Sequence, residues 1–133
     1  MKNILLATLV LLFVTGCANT TNTTINENKN IVYGKKPNMK KYNKIIITKV
    51  KNNLKDPYSA KIYNFIPPVR ATMYKSIGGW ITMFSVNAKN SFGAYSGAKT
   101  YGAFIAYSTK TKGNFLLKVA PLSDMANLIK IKK

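Results

Sequence analysis

The chain of 133 residues has no histidine, one cysteine (Cys17), one arginine (Arg70) and three acids, Glu27, Asp56 and Asp124. Each scarcity removes a class of chemistry. Zinc and calcium sites need clusters of Cys, His or carboxylates, and these residues cannot assemble one, so no metal or other cofactor is expected. A serine nucleophile would lack an imidazole base and would need a desolvated lysine, which no spacing singles out. No Gly-x-x-x-x-Gly-Lys-Ser/Thr run is present to cradle a nucleotide. Asp56 precedes Pro57 and Asp124 stands at an expected helix start, both ordinary structural uses of aspartate. The expectation is a protein that is not an enzyme. One cysteine closes no intramolecular disulfide, so the fold must rest on its own core.

What is present begins with an address. Lys2, the apolar run Ile4 to Val14 and the small residues Thr15 and Gly16 have the three parts of a secretory signal. The run is too short to span a bilayer, which takes roughly 18 apolar residues or more. Val14-Thr15-Gly16-Cys17 resembles the lipobox of bacterial lipoproteins. That resemblance implies that residues 1–16 are a lipoprotein signal peptide, that Cys17 receives diacylglycerol, and that the freed amine is acylated, as by palmitate. Two or three acyl chains anchor stably where one holds marginally. Ala18 follows the cysteine where an aspartate would mark inner-membrane retention, which implies the outer membrane, at its periplasmic face or surface, in a bacterium with two membranes. The plainer reading is an ordinary signal followed by an unrelated free thiol.

Residues 17–37 are rich in Asn, Thr and Lys and read as the lipidated cysteine and a flexible tether. Residues 38–133 read as one small α+β domain. Met39, Tyr42, Ile46, Val50 and Leu54 recur at spacings of three and four after Asn38, a good N-cap, and predict an N-terminal amphipathic helix, although Ile45-Ile46-Ile47-Thr48 is a β-branched run. Asp56-Pro57 ends it. Strands are expected over 61–66, 69–75, 80–86, 101–107 and 114–119, with turns at Ser76 to Gly79 and Ser108 to Gly113. Ser123 is expected to cap a short C-terminal helix carrying Met125, Leu128 and Ile129. The architecture expected is that first helix packed on an antiparallel sheet of four or five strands.

Two stretches stand out inside the domain. Leu54-Lys55-Asp56-Pro57, with Ser59 and Ala60, is followed by Val86 to Tyr101, VNAKNSFGAYSGAKTY. Together they resemble a group of small, uncharacterised bacterial envelope and phage-associated proteins that carry "LKDP.SA" and, about thirty residues later, "VNAKNSFGGY.G". This chain departs from that pattern at Phe84-Ser85, where members carry Cys-Gly, and at Ala94, where they carry Gly. The resemblance implies a shared fold and brings no activity with it. Physically, Asn87, Lys89 and Asn90 offer donors and acceptors, and Phe92, Tyr95 and Tyr101 offer flat rings, a set suited to a partner-binding loop. The alternative is that Asn-Ser-Phe-Gly makes a turn, the rings fill the core and the glycines relieve crowding.

The formal charge is +18. An AT-rich coding bias would supply the lysines, yet it would supply glutamate too, and the chain has one. The deficit of acids therefore points to an anionic surface: phospholipid, lipopolysaccharide, wall polymer or an acidic protein partner. Lys40, Lys41 and Lys44 form a candidate basic patch. The plainer reading is that the lysines serve solubility. Nucleic acid is not an expected partner of an exported protein. The function expected is a non-catalytic, lipid-anchored envelope protein that binds or scaffolds an anionic envelope component or a secretion or pilus machine. The alternative is an antagonist lipoprotein, of immunity, exclusion or phage type, that blocks a receptor or toxin.

Overall fold

A computed structural model describes residues 30–133. The expected signal peptide, Cys17 and the first part of the expected tether lie outside the described residues.

Helix α1 spans Met39–Asn52 and starts where Asn38 accepts a hydrogen bond from the Lys40 amide at 3.1 Å. Tyr42, Ile46 and Val50, four residues apart, are buried along one side, so packing overrides the strand preference of the isoleucine run. Lys49 and Lys51 lie in the last turn, where cations complement the helix dipole.

The class is α+β, built on an antiparallel sheet of six strands: β1 (Lys61–Tyr63), β2 (Val69–Met73), β3 (Ile77–Asn87), β4 (Lys99–Ser108), β5 (Gly113–Pro121) and β6 (Ile129–Ile131). Their order is β5-β4-β3-β2-β6. β3 is the spine, because β1 and β2 pair with different parts of the same edge: Ile62 opposite Val86, and Ala71 opposite Gly79. The expected 61–66 strand breaks at Asn64, whose φ is 57°, and Pro67-Pro68 cannot donate to the ladder. The break is bridged: the Ile66 amide donates to the Met83 carbonyl at 2.8 Å, and the buried Thr82 hydroxyl donates to the Ile66 carbonyl at 2.6 Å.

Alternation along β3 and β4 sends side chains to two buried faces. Phe84, Val86, Ala103 and Ile105 meet Tyr42, Ile46 and Val50 of α1. Ile81, Phe104 and Ala106 form a second cluster with Ala71, Met73 and Met125. The second face is covered by the chain that follows β5. There, helix α2 is one turn, Leu122–Met125, and it begins at Pro121 without a side-chain cap. Ser123, expected as that cap, lies inside the turn and donates to Asp124 Oδ1 at 2.9 Å. Leu128 and Ile129, expected on this helix, are beyond it; Ile129 opens β6, which pairs with β2 and satisfies an edge that would otherwise stay open.

The turn between β2 and β3 also differs from the expected glycine pair. Tyr74 and Lys75 take the positive φ values, 52° and 62°. Gly78 instead lies in β3, where a Cβ would collide with the Val32 carbonyl. That carbonyl belongs to a strap, residues 31–37, laid on the sheet. Trp80 Nε1 donates to the Tyr33 carbonyl at 3.0 Å, Asn114 Nδ2 donates to the Lys35 carbonyl at 2.9 Å, and Pro37 is buried. The packed part of the chain thus extends ahead of Asn38, the residue at which the sequence suggests the domain starts.

Candidate functional site

The two motif stretches meet at one end of the sheet. After α1 the chain turns through 54–60, where Asp56 Oδ1 accepts the Ser59 amide at 3.1 Å and the Ser59 hydroxyl donates to the Asp56 carbonyl at 3.0 Å. This is the local hydrogen-bonding habit of Asp and Ser beside a proline. The same Ser59 hydroxyl accepts the Lys89 amide at 2.9 Å, and the Ser59 carbonyl accepts the Tyr95 hydroxyl at 3.2 Å. Lys55 Nζ reaches Ser91 Oγ at 3.0 Å. Three contacts therefore tie the first loop to the second, two of them through Ser59.

The second loop, 88–98, joins β3 to β4 and is a small hairpin of its own. Lys89 pairs with Tyr95, the Asn90 amide donates to the Ala94 carbonyl at 2.8 Å, and Asn90 Oδ1 accepts from the amides of Phe92 and Ala94 at 2.9 and 3.2 Å. Gly93 closes the tip at φ 78°, a conformation costly for other residues, with open space around it. The Asn90 side chain and the loop amides thus satisfy one another inside the loop, and the Phe92 ring is left outside. Phe92 is 95% exposed and Tyr58, at the tip of the first loop, is 97% exposed.

Charge gathers at the same end. Lys61 and Lys89 stand over the Tyr95 ring, 4.9 and 5.7 Å from its centroid. An open groove of about 250 Å³ lies under the loops, lined by Leu54, Lys55, Lys89, Lys99 and Tyr101 among others. Asp56 is the one acid in these segments, and the Ser59 amide engages its carboxylate.

Of the candidate binding residues, Lys89, Asn90, Phe92 and Tyr95 fall together on the hairpin. Asn87 ends β3, and its side-chain oxygen is buried without a hydrogen-bond partner. Tyr101 lies in β4, its ring 6.0 Å from that of Phe84, and packs against the α1 side of the core. Of the rings, Tyr101 follows the core-filling alternative, Phe92 does not, and Tyr95 is 43% exposed. Gly93 and Gly97 serve positive φ rather than crowding. Lys40, Lys41 and Lys44 are exposed on the first half of α1, whose Tyr42 hydroxyl reaches the Asn114 carbonyl at 2.7 Å near the opposite end of the sheet. The candidate basic patch and the loop pair are therefore separate surfaces. Tyr58 and Ser59 are not among the residues the sequence singles out for binding; the local cue is the Asp56-Pro57 turn signal, which places both on a loop.

Among the described residues no group of three or more His, Cys, Asp or Glu could hold a metal ion, and no helix is long and apolar enough to cross a membrane. No protein-family profile, curated protein or solved structure matches this chain.

Proposed function

We propose that this protein is a non-catalytic, lipid-anchored cell-envelope protein that binds an anionic envelope component through the loop pair 54–61 and 88–98. The observation that carries the binding half of this reading is the exposure of Tyr58 and Phe92 on loops whose polar groups are internally bonded, beside Lys55, Lys61, Lys89 and Lys99. Exposed rings on a braced loop contribute nothing to the core and are available to a partner. The formal charge of +18 favours an anionic one. The anchor half rests on Val14-Thr15-Gly16-Cys17, and in a bacterium with two membranes the absence of aspartate after the cysteine favours the outer membrane.

The two halves are tested separately. Labelled palmitate should enter the wild-type chain and not Cys17→Ser; an unlabelled wild-type chain sinks the anchor. Binding to anionic envelope fractions should weaken as salt rises, because exposed lysine contacts are screened beyond a Debye length of about 8 Å at physiological ionic strength. Binding indifferent to salt sinks the electrostatic half.

A further inference from the structure

The loop pair has a feature that a generic anion-binding surface does not need: two aromatic side chains that stand almost wholly in water. Tyr58 and Phe92 are 97% and 95% exposed, and on the same loops and their flanks Lys61 and Lys89 stand over Tyr95 while Lys55, Lys89 and Lys99 line the groove. The loops do not expose these rings through looseness. Asn90 fixes the 90–94 turn with two amide hydrogen bonds, and Ser59 and Lys55 fasten one loop to the other. Fully exposed rings beside a cluster of ammonium groups match the chemistry of a bilayer surface, where aromatic side chains settle at headgroup level and lysines meet lipid phosphates.

A glycan site would be built differently. It would set its rings into the walls of the groove, and the groove here has one ring, Tyr101, which is packed against the core. The Tyr95 ring, the other candidate platform, already carries Lys61 and Lys89. Four lysines, Lys55, Lys61, Lys89 and Lys99, stand against one acid, Asp56, in the loop pair and its flanks, so the charge complements an anionic surface. We propose that Tyr58 and Phe92 insert into the interfacial layer of an anionic phospholipid bilayer, with the groove of Lys55, Lys89 and Lys99 taking lipid phosphates. This rests on the envelope-binding reading above and names its target.

The test must report the tips, because an acylated chain floats with vesicles whatever its loops do. Phe92→Trp and Tyr58→Trp, each in the full chain, place an indole at either tip; the one native tryptophan, Trp80, is buried and supplies the reference spectrum. With vesicles of phosphatidylglycerol and phosphatidylcholine carrying brominated acyl chains, the added emission should shift to the blue and be quenched. Pure phosphatidylcholine should give neither effect. Adding Lys55→Gln, Lys89→Gln and Lys99→Gln together should lower the ratio of inserted to free tip on the order of a hundredfold. An unchanged circular dichroism melt certifies the fold of each variant.

If the chain floats with the anionic vesicles while both tip indoles keep water-exposed, unquenched emission, the insertion is overturned and the anchored-protein reading survives. Tip indoles that respond to purified wall polymer but not to vesicles overturn it in favour of a glycan. A chain that neither floats with anionic vesicles nor binds any anionic envelope fraction overturns both readings.

Discussion

At one end of the sheet the strap 31–37 lies over Gly78 and Trp80, gives two backbone carbonyls to side-chain donors, and brings Tyr33 under Lys132. At the other end, loops 54–60 and 88–98 make three polar contacts with each other, yet leave a tyrosine and a phenylalanine in water. At the strap end, an aromatic side chain supplies the burial and polar atoms supply its register. At the loop end, polar atoms, the Tyr95 hydroxyl among them, set the shape, and the rings of Tyr58 and Phe92 are surplus to it. Irregular chain can thus be braced by different means. On the proposed function, a ring that a loop holds up without burying is the part available to a partner.

The largest effect should come from the strap end. Trp80→Ala removes a buried indole that touches the strap and lies under Arg70, 5.5 Å from its ring, and leaves the Tyr33 carbonyl without its donor. A loss of about 3–5 kcal/mol is expected in denaturant melts. Gly78→Ala separates the strap from the indole: its Cβ would push on the Val32 carbonyl, so it should cost less in the same melts, about 1–3 kcal/mol. If Trp80→Ala costs under about 1 kcal/mol, the strap end is no better anchored than the loops.

A middle-sized effect probes how α1 is joined to the strap end. Tyr42 donates to the Asn114 carbonyl, and Asn114 Nδ2 in turn holds the Lys35 carbonyl. Burial raises the Tyr42 phenol above its ordinary 10.0, since the ionised form would be desolvated. The unfolded chain therefore gives up this proton at lower pH than the folded one, and the stability Tyr42 contributes is complete below about pH 10 and is lost as pH rises above it. Tyr42→Phe should cost about 1 kcal/mol at neutral pH, and the gap between variant and wild type should narrow in alkaline melts. A gap that stays constant to high pH would mean that the phenol is not titrating against the fold.

Much of the scaffold was legible because periodicity survives tertiary packing. The three-and-four spacing of Met39, Tyr42, Ile46 and Val50 and the positions of β2 to β5 could be read directly. What escaped was non-local. β6 exists because β2 has an edge to satisfy, and nothing in Ile129-Lys130-Ile131 by itself says strand rather than the end of a helix. Gly78 and Gly79 look like a turn because the sequence does not show that a strap passes over one and the Ile105 carbonyl lies against the other. The true turn residues, Tyr74 and Lys75, adopt positive φ without glycine, against local preference. At the loop end, the two stretches stand out separately in the sequence, but their meeting through the Ser59 hydroxyl is a tertiary fact. Whether Phe92 points in or out depends on Asn90 capping the turn behind it, and that too is settled only in three dimensions.

The smallest effect is the most telling for the comparison. Phe92→Ala and Tyr58→Ala should each change stability by no more than about 0.5 kcal/mol, because side chains this exposed lose almost no burial when truncated. The same substitutions in a core would cost about 3–5 kcal/mol, so the two outcomes are well separated in a melt. Asn90→Ala provides the necessary control, since it removes the acceptor for two loop amides and should raise hydrogen exchange at Phe92 and Ala94 while Trp80 fluorescence stays native. If truncating Phe92 instead destabilises the whole domain, its ring packs in solution and the loop end is merely a second strap. If it leaves the melt untouched and weakens association with anionic surfaces, the ring was held out for a partner, and the two ends divide the work of the molecule between folding and binding.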